Sequence, residues 1–156
     1  MQLLIMRHGA TESTTRQDAE RGLTPLGWQQ TVNIARWLQQ HLIIPVTALV
    51  SPYRRTQQTF AALHSVLPQL TQQPHTLDLT PNGQAEFIVE QLQHDPDLQL
   101  PTLLLISHIP LVSKLLSQLC STAIAPLFTP AMIVAVNLDP LNGRAALQWV
   151  QTPATA

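Results

Sequence analysis

A three-layer α/β/α domain, built on a mainly parallel sheet with antiparallel strands at its C-terminal edge, is predicted by three features of this sequence. Unbroken apolar runs such as Leu3-Leu4-Ile5-Met6 and Leu103-Leu104-Leu105-Ile106 lack the alternation of a half-exposed strand. They suit strands covered on both faces. Between the runs lie stretches with apolar residues at helical spacing, opened by proline or a capping hydroxyl. Near the end, Asn142-Gly143 joins two β-rich runs and marks a hairpin. Ligands of such sheets gather at the carboxyl ends of the strands, so the residues that follow each run carry most of the functional information.

A length of 156 residues, 45% of them hydrophobic, fits one domain over 1–156 with a single sizeable core. Charged residues make up only 11% and the net charge is -1, which argues against a broad basic face for nucleic acid or for an anionic membrane. No segment approaches membrane-spanning length and no basic leader precedes the first apolar run. The expectation is a cytoplasmic protein without membrane insertion. Cys120 is the single cysteine, so no internal disulfide is available. Its setting after Leu115, Leu116 and Leu119 indicates a buried structural thiol. Lys114 is the one lysine, and the remaining cations are arginines, whose planar donors suit phosphate or carboxylate.

The first strand, residues 3–6, runs directly into Arg7-His8-Gly9-Ala10-Thr11, where Gly9 permits a sharp turn and close approach to a ligand. Residues 11–21 are polar and read as a loop across the mouth of a site. Thr24 caps a first helix with Pro25 in its opening turn, running to about residue 42 with Trp28, Val32, Ala35, Leu38 and Leu42 inward. Residues 47–50 form a second strand. It delivers Ser51-Pro52-Tyr53-Arg54-Arg55, with Ser51 as cap and Pro52 as the start of a second helix reaching about residue 67. Thr56, Phe60, Leu63 and Leu67 make its inward stripe and leave both arginines in the opening turn, where backbone amides already favour an anion. A short strand is expected near residues 76–79. A third helix follows from 82 or 83 to about 94, with Phe87 and residues 89–92 inward. The strand at 102–106 ends in Ser107-His108-Ile109-Pro110, and Pro110 opens a fourth helix with Leu111, Val112, Leu115, Leu116 and Leu119 on its apolar face. Residues 131–138 and 145–150 form the terminal hairpin, and 151–156 read as a frayed tail.

Three strand-to-helix junctions thus present Arg7 and His8, Arg54 and Arg55, and His108 along one sheet edge. Two histidines with arginines suffice for phosphoryl transfer, which needs a nucleophile in line with phosphorus and donors around its oxygens. No metal and no cofactor is required. A zinc site would call for a third histidine or a carboxylate, and arginines beside its ligands would repel the ion. Arg54 and Arg55 are adjacent and cannot share a direction on one helix, so one of them faces solvent; spacing leaves the choice open.

The Arg7-His8-Gly9 signature resembles that of the histidine phosphatase superfamily, the phosphoglycerate-mutase-like proteins. Leu23-Thr24-Pro25-Leu26-Gly27, Ser51-Pro52 with Arg55 and Gln58-Thr59, and Ser107-His108 follow in the family's order. The short length, Leu79-Thr80-Pro81 and residues 107–112 are most similar to the SixA-type phosphohistidine phosphatases of that superfamily. The resemblance implies His8 as the phosphorylated nucleophile, Arg7 and Arg55 as phosphate clamps, and His108, protonated or as a donor tautomer, as the second histidine. It selects Arg55 over Arg54. Neighbouring arginines should keep His8 unprotonated, so activity should fall in acid. Arg21 is a further candidate phosphate ligand, and Asp78 and Glu12 are the candidate proton donors. Larger family members carry insertions that roof the site, for which this chain has little spare length. An open site suits a phosphohistidine on a signalling or phosphotransfer protein better than an enclosed small ester. A phosphatase of small phosphate esters and a non-catalytic phosphate-binding module are the competing readings.

Overall fold

The computed structural model describes residues 1–13, 17–121 and 126–156. Residues 14–16, inside the polar loop expected at 11–21, lie outside that description. Six strands form one sheet in the order β3-β2-β4-β1-β5-β6: β1 (Gln2–Arg7), β2 (Thr47–Val50), β3 (Thr71–Gln72), β4 (Thr102–Ser107), β5 (Ile133–Asp139) and β6 (Arg144–Gln151). β1 to β4 are mutually parallel, and β5 joins β1 antiparallel and carries β6 in the same manner. Among the described residues the α-helices are α1 (Pro25–Gln40), α2 (Arg54–His64), α3 (Ala85–His94) and α4 (Leu111–Leu119).

Strand side chains alternate between faces, so each apolar run feeds two cores. Leu3, Ile5, Leu103 and Leu105 pack with α3 and α4, whereas Leu4, Met6, Leu104 and Ile106 pack with α1 and α2. This is why the runs show no alternation: both faces are covered. Among the described residues no helix is long and apolar enough to cross a membrane. Cys120 is buried and unpaired, and burial raises its thiol pKa.

Several local expectations need correction. The expected strand at 76–79 is absent, and the edge strand is instead the polar pair Thr71–Gln72 beside Thr47 and Ala48. Leu77 and Leu79 are nevertheless buried, because the chain crosses the α3 face without pairing. α1 stops at Gln40, and Leu42 turns outward with φ 57°, fully away from the stripe assigned to it. Trp28 and Phe87, expected inward, are also exposed; the buried residues beside them are Gly27 and Ile88. α2 begins at Arg54 with Tyr53 as N-cap, so Ser51 and Pro52 precede the helix; Ser51 is freed for another task. α3 starts at Ala85 with Gln84 as its N-cap, and ahead of it the Gly83 N–H closes a turn on the Thr80 carbonyl. The tail is not frayed: Gln151 is buried and its side-chain amide donates to the Thr152 carbonyl and the Thr155 hydroxyl, holding a 3-10 turn at Pro153–Thr155.

Candidate active site

Parallel pairing sets the site's geometry. Arg7 stands opposite Ser107 in the β1–β4 ladder, so the next residues along, His8 and His108, leave adjacent strands side by side. Their ring centroids are 5.2 Å apart. Both are almost inaccessible, at 4% and 1% exposure. The His8 backbone is fixed from two directions: its N–H donates to the Ser107 carbonyl, and its carbonyl accepts from Ala131, a residue held at φ 61°.

The His8 ring has a defined tautomer. Nδ1 lies 2.7 Å from the Gly9 carbonyl oxygen, which can only accept, so Nδ1 carries the proton and Nε2 keeps its lone pair. A side chain at Gly9 would run into the Gly27 backbone and one at Gly27 into the Ala10 backbone, so the two glycines let this loop lie directly on α1. The Gly9 N–H donates to Thr59 Oγ1 on α2. Burial lowers the His8 pKa to about 4, with Arg55, Arg7 and Arg21 adding to the effect and the Gly9 hydrogen bond opposing it. The same burial, followed by Arg55 and His8 itself, takes His108 down to about 2. Before an anion binds, both shifts favour the neutral rings.

His108 Nε2 is 2.7 Å from Ser51 Oγ at the end of β2. The strand order explains the contact: β2 and β1 flank β4 on either side, so the tips of all three converge. The Tyr53 ring stands edge-on to His108, and Arg55 lies over its face. Arg55 is 3% exposed, while its neighbour Arg54 points to solvent. Arg7 is braced by donation from Nη1 to the Phe128 carbonyl at 2.9 Å. Arg21 sits near enough to lower the proton affinity of both histidines and of Arg7.

One residue that sequence reasoning passed over organises two of the arginines. Asp18, in a 3-10 turn at Asp18–Glu20, accepts from Arg55 through both its backbone carbonyl (2.6 Å) and its carboxylate (3.0 Å). The other carboxylate oxygen is 3.5 Å from Arg21 Nη2. Its placement three residues before Arg21 was the available signal. With the outer nitrogens so engaged, the Nε atoms of Arg7, Arg21 and Arg55 and Nδ1 of His108 are buried without a hydrogen-bond partner. Unmatched buried donors are costly, and a cluster of them is chemically fitted to an oxyanion.

The candidate proton donors do not join this cluster in the same way. Asp78 is exposed, and its Oδ1 accepts from the Thr80 N–H and hydroxyl. Glu12 accepts from the Gly22 N–H and lies 3.9 Å from Arg54. Among the described residues, no three His, Cys, Asp or Glu side chains come together as a metal would need.

Residues 3–96 match the histidine phosphatase superfamily (branch 1). Phosphohistidine phosphatase SixA of Escherichia coli is 32% identical over 153 residues, which cover 98% of this chain and 94% of the relative. The SixA homolog of Haemophilus influenzae is 32% identical over 146 residues, covering 89% of each. Among solved structures, the protein histidine phosphatase SixA complexed with tungstate superimposes with a TM-score of 0.87 at 32% identity, over 99% of this chain and 98% of that one.

Proposed function

The chain belongs to the histidine phosphatase superfamily, and on that premise we propose that it is a protein phosphohistidine phosphatase working through a phosphorylated His8. The observation that carries the proposal is the neutral His8 ring, its Nδ1 proton spent on Gly9 and its Nε2 lone pair set among three guanidinium groups. Nε2 attacks phosphorus, the substrate's P–N bond breaks, and the freed imidazole keeps the electron pair. The substrate enters as its imidazolium form, protonated from solvent on the nitrogen that does not bear phosphorus; that proton lets the ring leave neutral, so from this form the step makes no demand on Asp78 or Glu12. Water then attacks the phosphorus of phospho-His8, releasing inorganic phosphate and restoring Nε2. Arg7, Arg55 and Arg21 hold the phosphoryl oxygens, with His108 donating through a neutral N–H. The mechanism uses no metal or cofactor.

The relatives named above are phosphohistidine phosphatases, and one of them holds tungstate, an oxyanion. For this chain we infer a substrate histidine borne by a phosphotransfer or other signalling protein. We place the reaction in the cytoplasm, in keeping with the free thiol of Cys120. The test compares turnover of a phosphohistidine-bearing phosphotransfer domain with that of a small aryl phosphate, for wild type and His8→Ala. Turnover of the domain, reduced on the order of 10⁴-fold or more in the variant, is expected. Turnover of the aryl ester alone would replace this reading by a small-ester phosphatase. Binding of both without turnover would make the protein a phosphate-binding module.

A further inference from the structure

We propose that three exposed apolar side chains around the site, Leu26, Ile109 and Leu127, form the surface on which the phosphohistidine-bearing protein docks. This inference rests on the phosphatase reading and adds to it the means of partner recognition. Each residue is tied to the reacting groups by its immediate neighbour. Ile109 follows His108, Leu26 precedes the Gly27 that packs on Gly9, and Leu127 precedes the Phe128 whose carbonyl braces Arg7. Their exposures are 40%, 61% and 82%. All three belong to segments at the carboxyl-end edge of the sheet, where β1 and β4 deliver His8 and His108, so a protein brought to those histidines would meet them.

What covers them follows from reach and charge. The catalytic histidines are nearly inaccessible, and a phosphorylated imidazole is short, so its backbone must come down to the rim to bring phosphorus within reach of Nε2. A free phosphate ester makes no such demand. The outer charges around the mouth already have partners within the chain: Asp18 lies against Arg21 and Arg55, and Glu12 against Arg54. The rim therefore offers a partner apolar contact in preference to an unpaired field. The fitting partner presents its phosphohistidine from a convex surface, such as a helix face, with apolar residues flanking it.

The experiment measures kinetics of the double variant Leu26→Ser, Leu127→Ser on a phosphohistidine-bearing phosphotransfer domain and on the small molecule phosphoramidate. Leu141→Ser serves as control, since Leu141 is 92% exposed in the β5–β6 turn at the opposite end of the sheet. Expected is a rise of about tenfold in KM for the domain, with phosphoramidate turnover unchanged and the control equal to wild type. The ratio of KM for the domain to KM for phosphoramidate, which cancels the phosphoryl–arginine attraction common to both, should also change little between about 0.05 and about 0.5 M salt. Unchanged KM in the double variant, an equal loss on phosphoramidate, an equal loss in the control, or a steep salt dependence of that ratio would each overturn the docking surface. So would a wild-type dimer that the double variant dissolves without altering KM, which would make the rim a contact between two copies of this chain. If wild type turns over neither substrate, the phosphatase reading fails. The domain's binding to His8→Ala, with and without the rim substitutions, then still decides the docking surface.

Discussion

Asp18 holds a carboxylate between Arg55 and Arg21 while itself remaining exposed to solvent, which separates two effects of its charge. It fixes the arginines, and it partly neutralises them toward an incoming phosphoryl group. Asp18→Asn keeps the backbone carbonyl that bonds Arg55 but removes the charge. We expect kcat to fall about tenfold as the guanidinium planes loosen, while inorganic phosphate inhibits more strongly. Steady-state kinetics with added phosphate read both; weaker phosphate inhibition would show that Asp18 only orients. A second expectation concerns His8. Because burial and the arginines lower its pKa to about 4, its ring should remain neutral down to about pH 5. An NMR titration of the His8 ring gives the midpoint directly, and a value near 6.5 would remove the electrostatic basis of the nucleophilic role proposed for it.

The start of α1 does structural and functional work together. Thr24 Oγ1 accepts from the Gly27 N–H at 3.0 Å and donates to the Ala10 carbonyl at 3.3 Å, stitching helix to loop. Thr24→Ala should cost about 1 kcal/mol by denaturant unfolding, the usual worth of a cap. Gly27→Ala should cost more, about 3 kcal/mol, because a methyl group there would overlap the Ala10 backbone. Activity should fall with it as the Gly9 turn is displaced. The existence of α1 was readable from Thr24-Pro25, and the two buried strands from unbroken apolar runs, because caps and burial are local properties. So was the placing of Arg7, His8 and His108, which needs only that a strand end there. The Ser51–His108 contact was not readable in this way, since it depends on β2 lying beside β4, a long-range pairing that periodicity does not encode. Thr71–Gln72 escaped for another reason: an exposed edge strand has no apolar face to betray it. Trp28 and Phe87 misled because large apolar residues were assigned to the inward stripe, whereas the positions that face inward there are the adjoining Gly27 and Ile88.

Across the whole molecule, both cores share one sheet, so neither can melt alone. We expect a single calorimetric transition over 1–156, with equal van't Hoff and calorimetric enthalpies; two transitions would divide the chain. That transition should be sensitive to acid. Histidines whose folded pKa values lie below the usual 6.5 bind protons more readily when unfolded. Their contribution is complete above pH 6.5 and is lost as pH falls toward about 4 for His8 and about 2 for His108. The Tm should therefore drop across that window, and His108→Asn should flatten the drop. The register of β1 against β4 carries one further consequence. The two histidines meet only because equal stretches of chain, counted from Gln2 and from Thr102, lead up to them. A residue added or removed within either stretch would turn one ring to the opposite side of the sheet. Insertions in the connecting segments leave that register alone, so descendants of this chain are free to acquire new clientele there while the two histidines stay locked in step.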